Sequence, residues 1–130
     1  MPTRSLIVPS GPAASSAARR FLREIIDDKV PPDIRDSVLL LTSKLVTNAV
    51  RHSGTALSTG IEVIITTDKE QVEVTVGDEG GGFDPDRSRP PGYEGGWGWH
   101  LIRALASRWG LERRGMKTAV WFEIETNSEL

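Results

Sequence analysis

The amino-acid sequence predicts an α+β fold, a two-layer α/β sandwich in which helices cover one face of a mixed, mostly antiparallel sheet. Two stretches with apolar residues at helical spacing occupy the first half of the chain. Two runs of alternating apolar and polar residues follow, separated by the polar sequence TTDKEQ, and a further strand-like run lies near the end. Strands joined by so short a turn pair antiparallel, and their apolar side needs a helical cover.

Length, charge and composition narrow the range of functions. A chain of 130 residues is expected to form one domain, residues 1–130, because it is too short for two. A net charge of −2 argues against a nucleic-acid-binding surface. No apolar run approaches the roughly 18 residues of a membrane span, and the first residues lack the apolar segment of a signal peptide. The absence of cysteine excludes disulfides, and these features together predict a cytoplasmic protein without membrane contact.

The first helix is expected after a short strand, SLIVP. Ser10 can cap this helix, and Pro12 suits a first helical turn. Apolar residues then recur at helical spacing from Ala14 to Ile26, and Pro31 ends the pattern.

The second helix contains the sequence LLLTSKLVTNAVRHSG, and Asp33 can cap it. Leu41 and Leu45 mark its apolar face. Lys44 and Asn48 lie at the edge of that face, four residues apart and therefore one turn above the other. A buried amide without hydrogen bonds lowers the stability of the fold by about 1–3 kcal/mol. This edge of the helix should therefore face polar groups or a ligand.

The strands follow after a loop from Ser53 to Gly60. The alternating residues from Ile61 to Val76 predict a β-hairpin. The closing run, TAVWFEIE, is apolar on both faces at its centre and should be an internal strand. Before it, HLIRALASRWG shows a helical face.

A segment rich in glycine and proline runs from Gly77 to Trp99. Loops this long in a compact domain are usually functional or disordered. The first glycine cluster, DEGGGF, follows a strand but does not open a helix, whereas the second, GGWGW, opens a helix but follows no strand. Neither cluster matches the common dinucleotide or Walker-type motifs, and turn chemistry explains each one alone.

Together the two clusters predict a nucleotide site. Gly96 and Gly98 precede a helix, where free N–H groups and the helix dipole favour an anion. Asp78 ends a strand, and Gly80 and Gly82 allow a ligand to approach the backbone closely. A carboxylate that accepts a hydrogen bond from an exocyclic amino group, beside a phosphate cradle, is typical of adenine nucleotide binding.

The motifs LVTNAVRH, DEGGGF, GWGWHLIRALASRWG and KTAVWFEI occur in the order and spacing of the GHKL, or Bergerat-fold, ATPases. Over residues 5–125 the chain resembles this histidine-kinase-like family. ARRFLRE and WFE look most like its anti-sigma-factor serine/threonine kinase branch, the switch-protein kinases. The resemblance implies the two-layer fold of that family, one ATP-binding domain, and ATP or ADP with Mg²⁺ as ligands.

The resemblance also implies roles for individual residues. Asn48 matches the asparagine that ligates Mg²⁺ between the phosphates. Asp78 matches the carboxylate that takes the adenine amino group, with Gly80 and Gly82 beside it. Thr118 matches a hydroxyl that supports the adenine, often through water, although most threonines in strands have no such role.

The phosphate side of the site is assigned in the same way. The resemblance implies a mobile lid at about residues 84–97, with Gly96 and Gly98 at the phosphates. Arg51 and His52 follow the asparagine motif, and a place at the cleft edge and an ordinary helix-end charge are equally good interpretations of both.

Lys44 departs from the family pattern. Enzymes of the family carry a glutamate one turn before the asparagine, where it takes the proton from the attacking hydroxyl, and this chain has Lys44 there. A lysine with an ordinary pKa of about 10.4 cannot accept a proton at neutral pH. The resemblance therefore makes Lys44 a catalytic position without a base; if the helix is rotated slightly, Lys44 is a solvated surface residue instead.

Two functions remain open. The first is an ATP-binding regulator of bacterial transcription that contacts a sigma factor or an anti-sigma-factor antagonist and has weak or no serine kinase activity. The second is an active serine/threonine kinase that phosphorylates the antagonist; Lys44 favours the first. A detached sensor histidine kinase domain is less favoured, because no dimerisation helix with a phosphoacceptor histidine is evident. Homodimers occur in this branch, which leaves a homodimer open.

Overall fold

The computed structural model describes residues 2–53, 60–78, 99–114 and 117–126. These residues form five strands and three helices. In chain order the elements are β1 (Thr3–Pro9), α1 (Ala14–Ile26), α2 (Pro32–Ser53), β2 (Gly60–Thr67), β3 (Gln71–Asp78), α3 (Trp99–Leu105), β4 (Arg108–Arg114) and β5 (Lys117–Glu125).

The strands form one open sheet in the order β1-β2-β3-β5-β4, and each neighbouring pair is antiparallel. Val63 pairs with Val76, which pairs in turn with Val120, so the alternation stays in phase across three strands. The predicted α+β class and the β2–β3 hairpin are confirmed. β5 is internal, as its apolar centre predicts.

The hydrophobic core lies between one face of the sheet and the helices. α1 and α2 pack against each other and against the sheet, and Leu22, Leu41 and Leu45 are at most 1% exposed. Burying side chains of this size stabilises the fold by about 1.5–3 kcal/mol each. Every second residue of the three central strands faces this core: Ile61, Val63, Ile65, Val72, Val74, Val76, Val120, Phe122 and Ile124.

Both long helices begin differently from the sequence prediction. The N-cap position of α1 is Ala13 and not Ser10, which lies three residues earlier. α2 begins at Pro32, which suits a first helical position because its missing N–H would have no partner there. The N–H of Arg35 donates to the carbonyl of Pro31, and Asp33 therefore lies inside the first turn.

β4 is the element that the sequence pattern misses. The helical face of HLIRALASRWG extends to Ala106, and α3 ends at Leu105. Arg108–Arg114 then pairs along β5, a strand that the pattern did not predict. Trp109 and Leu111 stand opposite buried residues of β5 yet remain 38% exposed each. β4 lies at the edge of the sheet, where the helices leave it partly uncovered and its sequence needs no clear alternation.

Candidate functional site

The C-terminal half of α2 places Asn48 at the border between core and surface. Asn48 is 4% exposed, next to Ala49 at 4% and one turn after Leu45 at 1%. Lys44, one turn before Asn48, is exposed. The predicted position of Asn48 at the edge of the apolar face is thus what α2 shows, and Lys44 lies further toward solvent on the same side of the helix.

Hydrogen bonds between α1 and α2 fix the rotation of this part of α2. The hydroxyls of Ser15 and Thr47 lie 2.6 Å apart, and Ser15 Oγ also donates to the carbonyl of Ser43 at 3.3 Å. Arg19 Nη1 donates to Ser43 Oγ at 3.0 Å. These contacts involve the residues directly before the two candidate site residues of α2. Sequence reasoning missed this cluster, although its signal is visible as two polar pairs at a spacing of four residues, one pair on each helix.

α2 also carries an unsatisfied hydroxyl. Thr42 is fully buried, and its Oγ1 is the one enclosed side-chain polar atom without a hydrogen-bond partner in the described part of the chain. Such a group lowers stability by about 1–3 kcal/mol relative to a satisfied one. Thr42 lies near the middle of the core-facing side of α2, two residues before Lys44.

The end of β3 supplies the second part of the candidate site. Asp78 is the last residue of β3 and pairs with Ile61 of β2 on one side and with Thr118 of β5 on the other. Directly opposed Cα atoms in an antiparallel pair are about 4.5–5.5 Å apart. Two residues earlier in β3, Val76 pairs with Val120, and both are buried under the helices. Strand alternation therefore puts positions 78 and 118 on the helix-covered face.

Packing brings these two parts onto one side of the molecule. α2 packs against β3, the strand that ends at Asp78. The chain leaves α2 at Ser53 and re-enters the sheet at Gly60, beside the residue that pairs with Asp78. The helix-covered side of the sheet therefore contains both Asn48 of α2 and the paired positions 78 and 118 of β3 and β5.

The remaining predicted site residues lie at the end of α2 or outside the described residues. Arg51 belongs to the last turn of α2. Gly80, Gly82, Gly96, Gly98 and the expected lid at 84–97 lie outside the described residues. α3 begins at Trp99, directly after Gly98, so the second glycine cluster does precede a helix as predicted.

The oxygen donors available in the described chain decide what kind of metal could fit. Mg²⁺ takes oxygen ligands, and in nucleotide sites it uses one or two protein groups together with phosphates. The described residues contain no group of three or more His, Asp or Glu side chains that could hold a metal ion. Asn48 offers one amide oxygen at the edge of the core. This donor set fits a metal held mainly by phosphates and does not fit an all-protein metal centre.

Comparison with known proteins supplies a family and a fold. Residues 8–124 match the family model described as the histidine kinase-like ATPase domain. A comparison with curated protein sequences finds no match. In the described segments, no helix is long and apolar enough to cross a membrane.

Three solved structures share the fold. The RsbU and RsbW domains of Rv1364c from Mycobacterium tuberculosis match with a TM-score of 0.72 and 20% identity, over 97% of this chain and 33% of that one. The blue-light activated histidine kinase EL346 of Erythrobacter litoralis matches with a TM-score of 0.65 and 24% identity, over 93% and 43% of the two chains.

The histidine kinase domain of EL346 matches with a TM-score of 0.56 and 22% identity, over 91% of this chain and 61% of that one. In each case the chain spans less than two thirds of the protein that it matches. At these identities the likeness shows the fold.

Proposed function

The chain belongs to the histidine kinase-like ATPase domain family, and from that premise we propose that it is a single ATP-binding domain that regulates transcription through protein contact. ATP or ADP, with Mg²⁺, would occupy the space between the C-terminal half of α2 and the end of the β3–β5 pair. The partner would be a sigma factor or an anti-sigma-factor antagonist, and the protein would act in the cytoplasm.

The register of β3 and β5 is the observation that carries the nucleotide proposal. Asp78 and Thr118 are 40 positions apart in the chain and directly opposed in the sheet. In the proposed site the Asp78 carboxylate accepts a hydrogen bond from the adenine amino group, and the Thr118 hydroxyl supports the same ring. Packing of α2 against β3 puts Asn48 on the same side of the sheet, where its amide oxygen would meet the metal.

The remaining site residues would hold the phosphates. Gly96 and Gly98 precede α3, and their backbone N–H groups would donate to phosphate oxygens. Gly80 and Gly82 would allow the nucleotide to approach the backbone after β3. Arg51, in the last turn of α2, would add a positive charge on the phosphate side. Mg²⁺, when bound, would neutralise part of the phosphate charge.

The residue one helical turn before Asn48 favours nucleotide binding over phosphotransfer. Lys44 lies one turn before Asn48 and is exposed, and no described carboxylate forms an ion pair with it. An ammonium group cannot take a proton from an attacking hydroxyl, although it attracts phosphate. We therefore favour a nucleotide-responsive binding module with serine kinase activity near background. The alternative is an active kinase that uses another base.

The partner assignment rests on the resemblance of ARRFLRE and WFE to the anti-sigma-factor kinase branch. It is tested by capture from native cell lysate with immobilised protein, with and without ATP and Mg²⁺, and with D78N as the matched variant defective in adenine recognition. We expect a sigma factor or an antagonist protein whose capture by the natural chain depends on ATP and is lost with D78N. Capture of neither class, in either nucleotide state, would contradict the proposed role.

A further inference from the structure

A polar seam joins α1 to α2 outside the hydrophobic core. It consists of two residues four positions apart on each helix: Ser15, Arg19, Ser43 and Thr47. The hydroxyls of Ser15 and Thr47 lie 2.6 Å apart, and Ser15 Oγ donates to the carbonyl oxygen of Ser43 at 3.3 Å. Arg19 Nη1 donates to Ser43 Oγ at 3.0 Å. The Ser15 hydroxyl therefore holds two successive turns of α2 at once.

The seam lies beside the candidate site residues of α2. Ser43 directly precedes Lys44, and Thr47 directly precedes Asn48. Each residue of an α-helix turns the chain by about 100°, so Lys44 and Asn48 differ by about 40° around the helix axis. Lys44 is exposed, whereas Asn48 is 4% exposed. A rotation of α2 by about 40° would therefore bring Asn48 to the exposed side where Lys44 now lies.

The core restrains this rotation less sharply than the seam does. At the same level of α2, Leu45, Val46 and Ala49 face the core and are at most 4% exposed. Apolar burial is non-directional and depends on the area removed from water. A hydrogen bond, in contrast, weakens steeply once its angle falls below about 120°. The hydrogen bonds of the seam therefore define the rotation of α2 more narrowly than burial alone.

We propose that Ser15 is a positioning residue for Asn48, because its hydroxyl holds the rotation of α2 that keeps the Asn48 amide on the helix-covered side of the sheet. The inference rests on the proposed function, in which the amide oxygen of Asn48 meets Mg²⁺. Loss of the Ser15 hydroxyl should weaken the contribution of Mg²⁺ to ATP affinity. It should leave the preference for adenine unchanged, because Asp78 belongs to the sheet and not to α2.

Four variants of the full-length protein test this role. S15A removes the hydroxyl, S15T keeps it, and T47A removes its partner on α2. S16A is the matched control, because Ser16 is the next residue of α1 and its hydroxyl donates to the carbonyl of Ala13 at 3.2 Å instead of reaching α2.

The first measurement needs no nucleotide. In ¹⁵N-labelled protein, a soluble gadolinium chelate relaxes side-chain amide protons according to their exposure, and loss of its signal in N48D identifies the Asn48 amide. Relaxation of this amide should rise in S15A and stay at the natural level in S15T and S16A. T47A should also raise it, and S15A/T47A should raise it no further than S15A, because S15A already removes the shared contact. Equal relaxation in S15A and the natural chain would overturn the proposal.

The second measurement is calorimetry of ATP with Mg²⁺, ATP with EDTA, and GTP with Mg²⁺. The factor by which Mg²⁺ raises ATP affinity should fall by about threefold or more in S15A, within the range that loss of one neutral hydrogen bond allows. It should stay within about twofold of the natural value in S15T and S16A, as should the preference of S15A for ATP over GTP. An equal fall of the Mg²⁺ factor and the ATP preference in S15A would indicate a general loss of structure and would overturn the positioning role.

The two measurements distinguish a failure of this inference from a failure of the proposed function. A natural chain whose ATP affinity does not rise with Mg²⁺ would contradict the metal role of Asn48, and the positioning role would fall with it. Normal Mg²⁺-dependent binding that S15A leaves unchanged would overturn the positioning role alone.

Discussion

Asp78, the last residue of β3, lies directly opposite Thr118 in β5. The pairing joins two positions for which the family resemblance predicts roles at the adenine end of a nucleotide site. The register matters, because a slip of one residue would move one of the two positions to the open face of the sheet. The buried pair Val76–Val120, two residues further in, holds this register from the core side.

Replacing Lys44 by glutamate should create or raise phosphotransfer. The exposed Lys44 lies one turn before Asn48. In the proposed site glutamate at this position would supply a general base. Loss of a general base typically lowers a rate by about 10²–10⁴, so K44E should raise transfer of phosphate from ATP to a cognate antagonist well above background. Radiolabelled ATP with purified antagonist measures the rate, and the Mg²⁺ requirement should rise as well.

K44Q is the matched control, because it removes the charge without adding a base. Its phosphotransfer should stay near background. Efficient phosphorylation by the natural chain, with no gain in K44E, would show that another residue is the base and would favour the kinase alternative.

The buried hydroxyl of Thr42 predicts a stabilising substitution. T42V replaces an unpartnered hydroxyl by a methyl group of similar size inside the core, so the free energy of unfolding should rise by about 1 kcal/mol. T47V makes the same change where the hydroxyl is hydrogen-bonded to Ser15, and its stability should be equal to or lower than that of the natural chain. Urea unfolding followed by circular dichroism compares the two, and a T42V variant less stable than the natural chain would contradict the assignment.

The raised pKa of Glu73 predicts a pH dependence of stability. Burial and the neighbouring Glu123 and Glu112 make protonation easier in the folded state than in the unfolded chain. The folded state therefore binds more protons between the two pKa values, and stability falls as pH rises from the ordinary glutamate pKa through the raised one.

E73Q removes this titration. The substitution should therefore raise the thermal midpoint near pH 7–8 and have little effect near pH 4. Between these values it should flatten the dependence of stability on pH. E24Q, the same change at an exposed residue of α1, serves as the matched control. Equal slopes in E73Q and the natural chain would mean that Glu73 does not carry the effect.

The fold was predictable where periodicity is strong. The alternation from Ile61 to Val76 and the apolar centre of β5 identified the hairpin and the internal strand, both confirmed by the pairing. β4 was not predicted because it is an edge strand that neither face of the sheet buries fully. Trp109 and Leu111 stay partly exposed, so the sequence there needs no clear alternation of apolar and polar residues.

The burial of one candidate site residue was predictable from the sequence. The place of Asn48 at the edge of the α2 core face follows from helical spacing, and the structure shows it buried there. The opposition of Asp78 and Thr118 could not be derived from periodicity, because it depends on β3 and β5 being neighbours across an intervening helix and strand.

Isothermal titration calorimetry with ATP and GTP tests most directly whether Asp78 recognises adenine. In the proposed site the Asp78 carboxylate would accept a hydrogen bond from the adenine amino group but would face a carbonyl in guanine, a mismatch of about 1–3 kcal/mol. In the presence of Mg²⁺, ATP should therefore bind about tenfold to a hundredfold more tightly than GTP. D78N, whose amide can donate to that carbonyl, should lose most of the preference while its circular dichroism spectrum stays native. Equal affinities of the natural chain for ATP and GTP would contradict the assignment of Asp78.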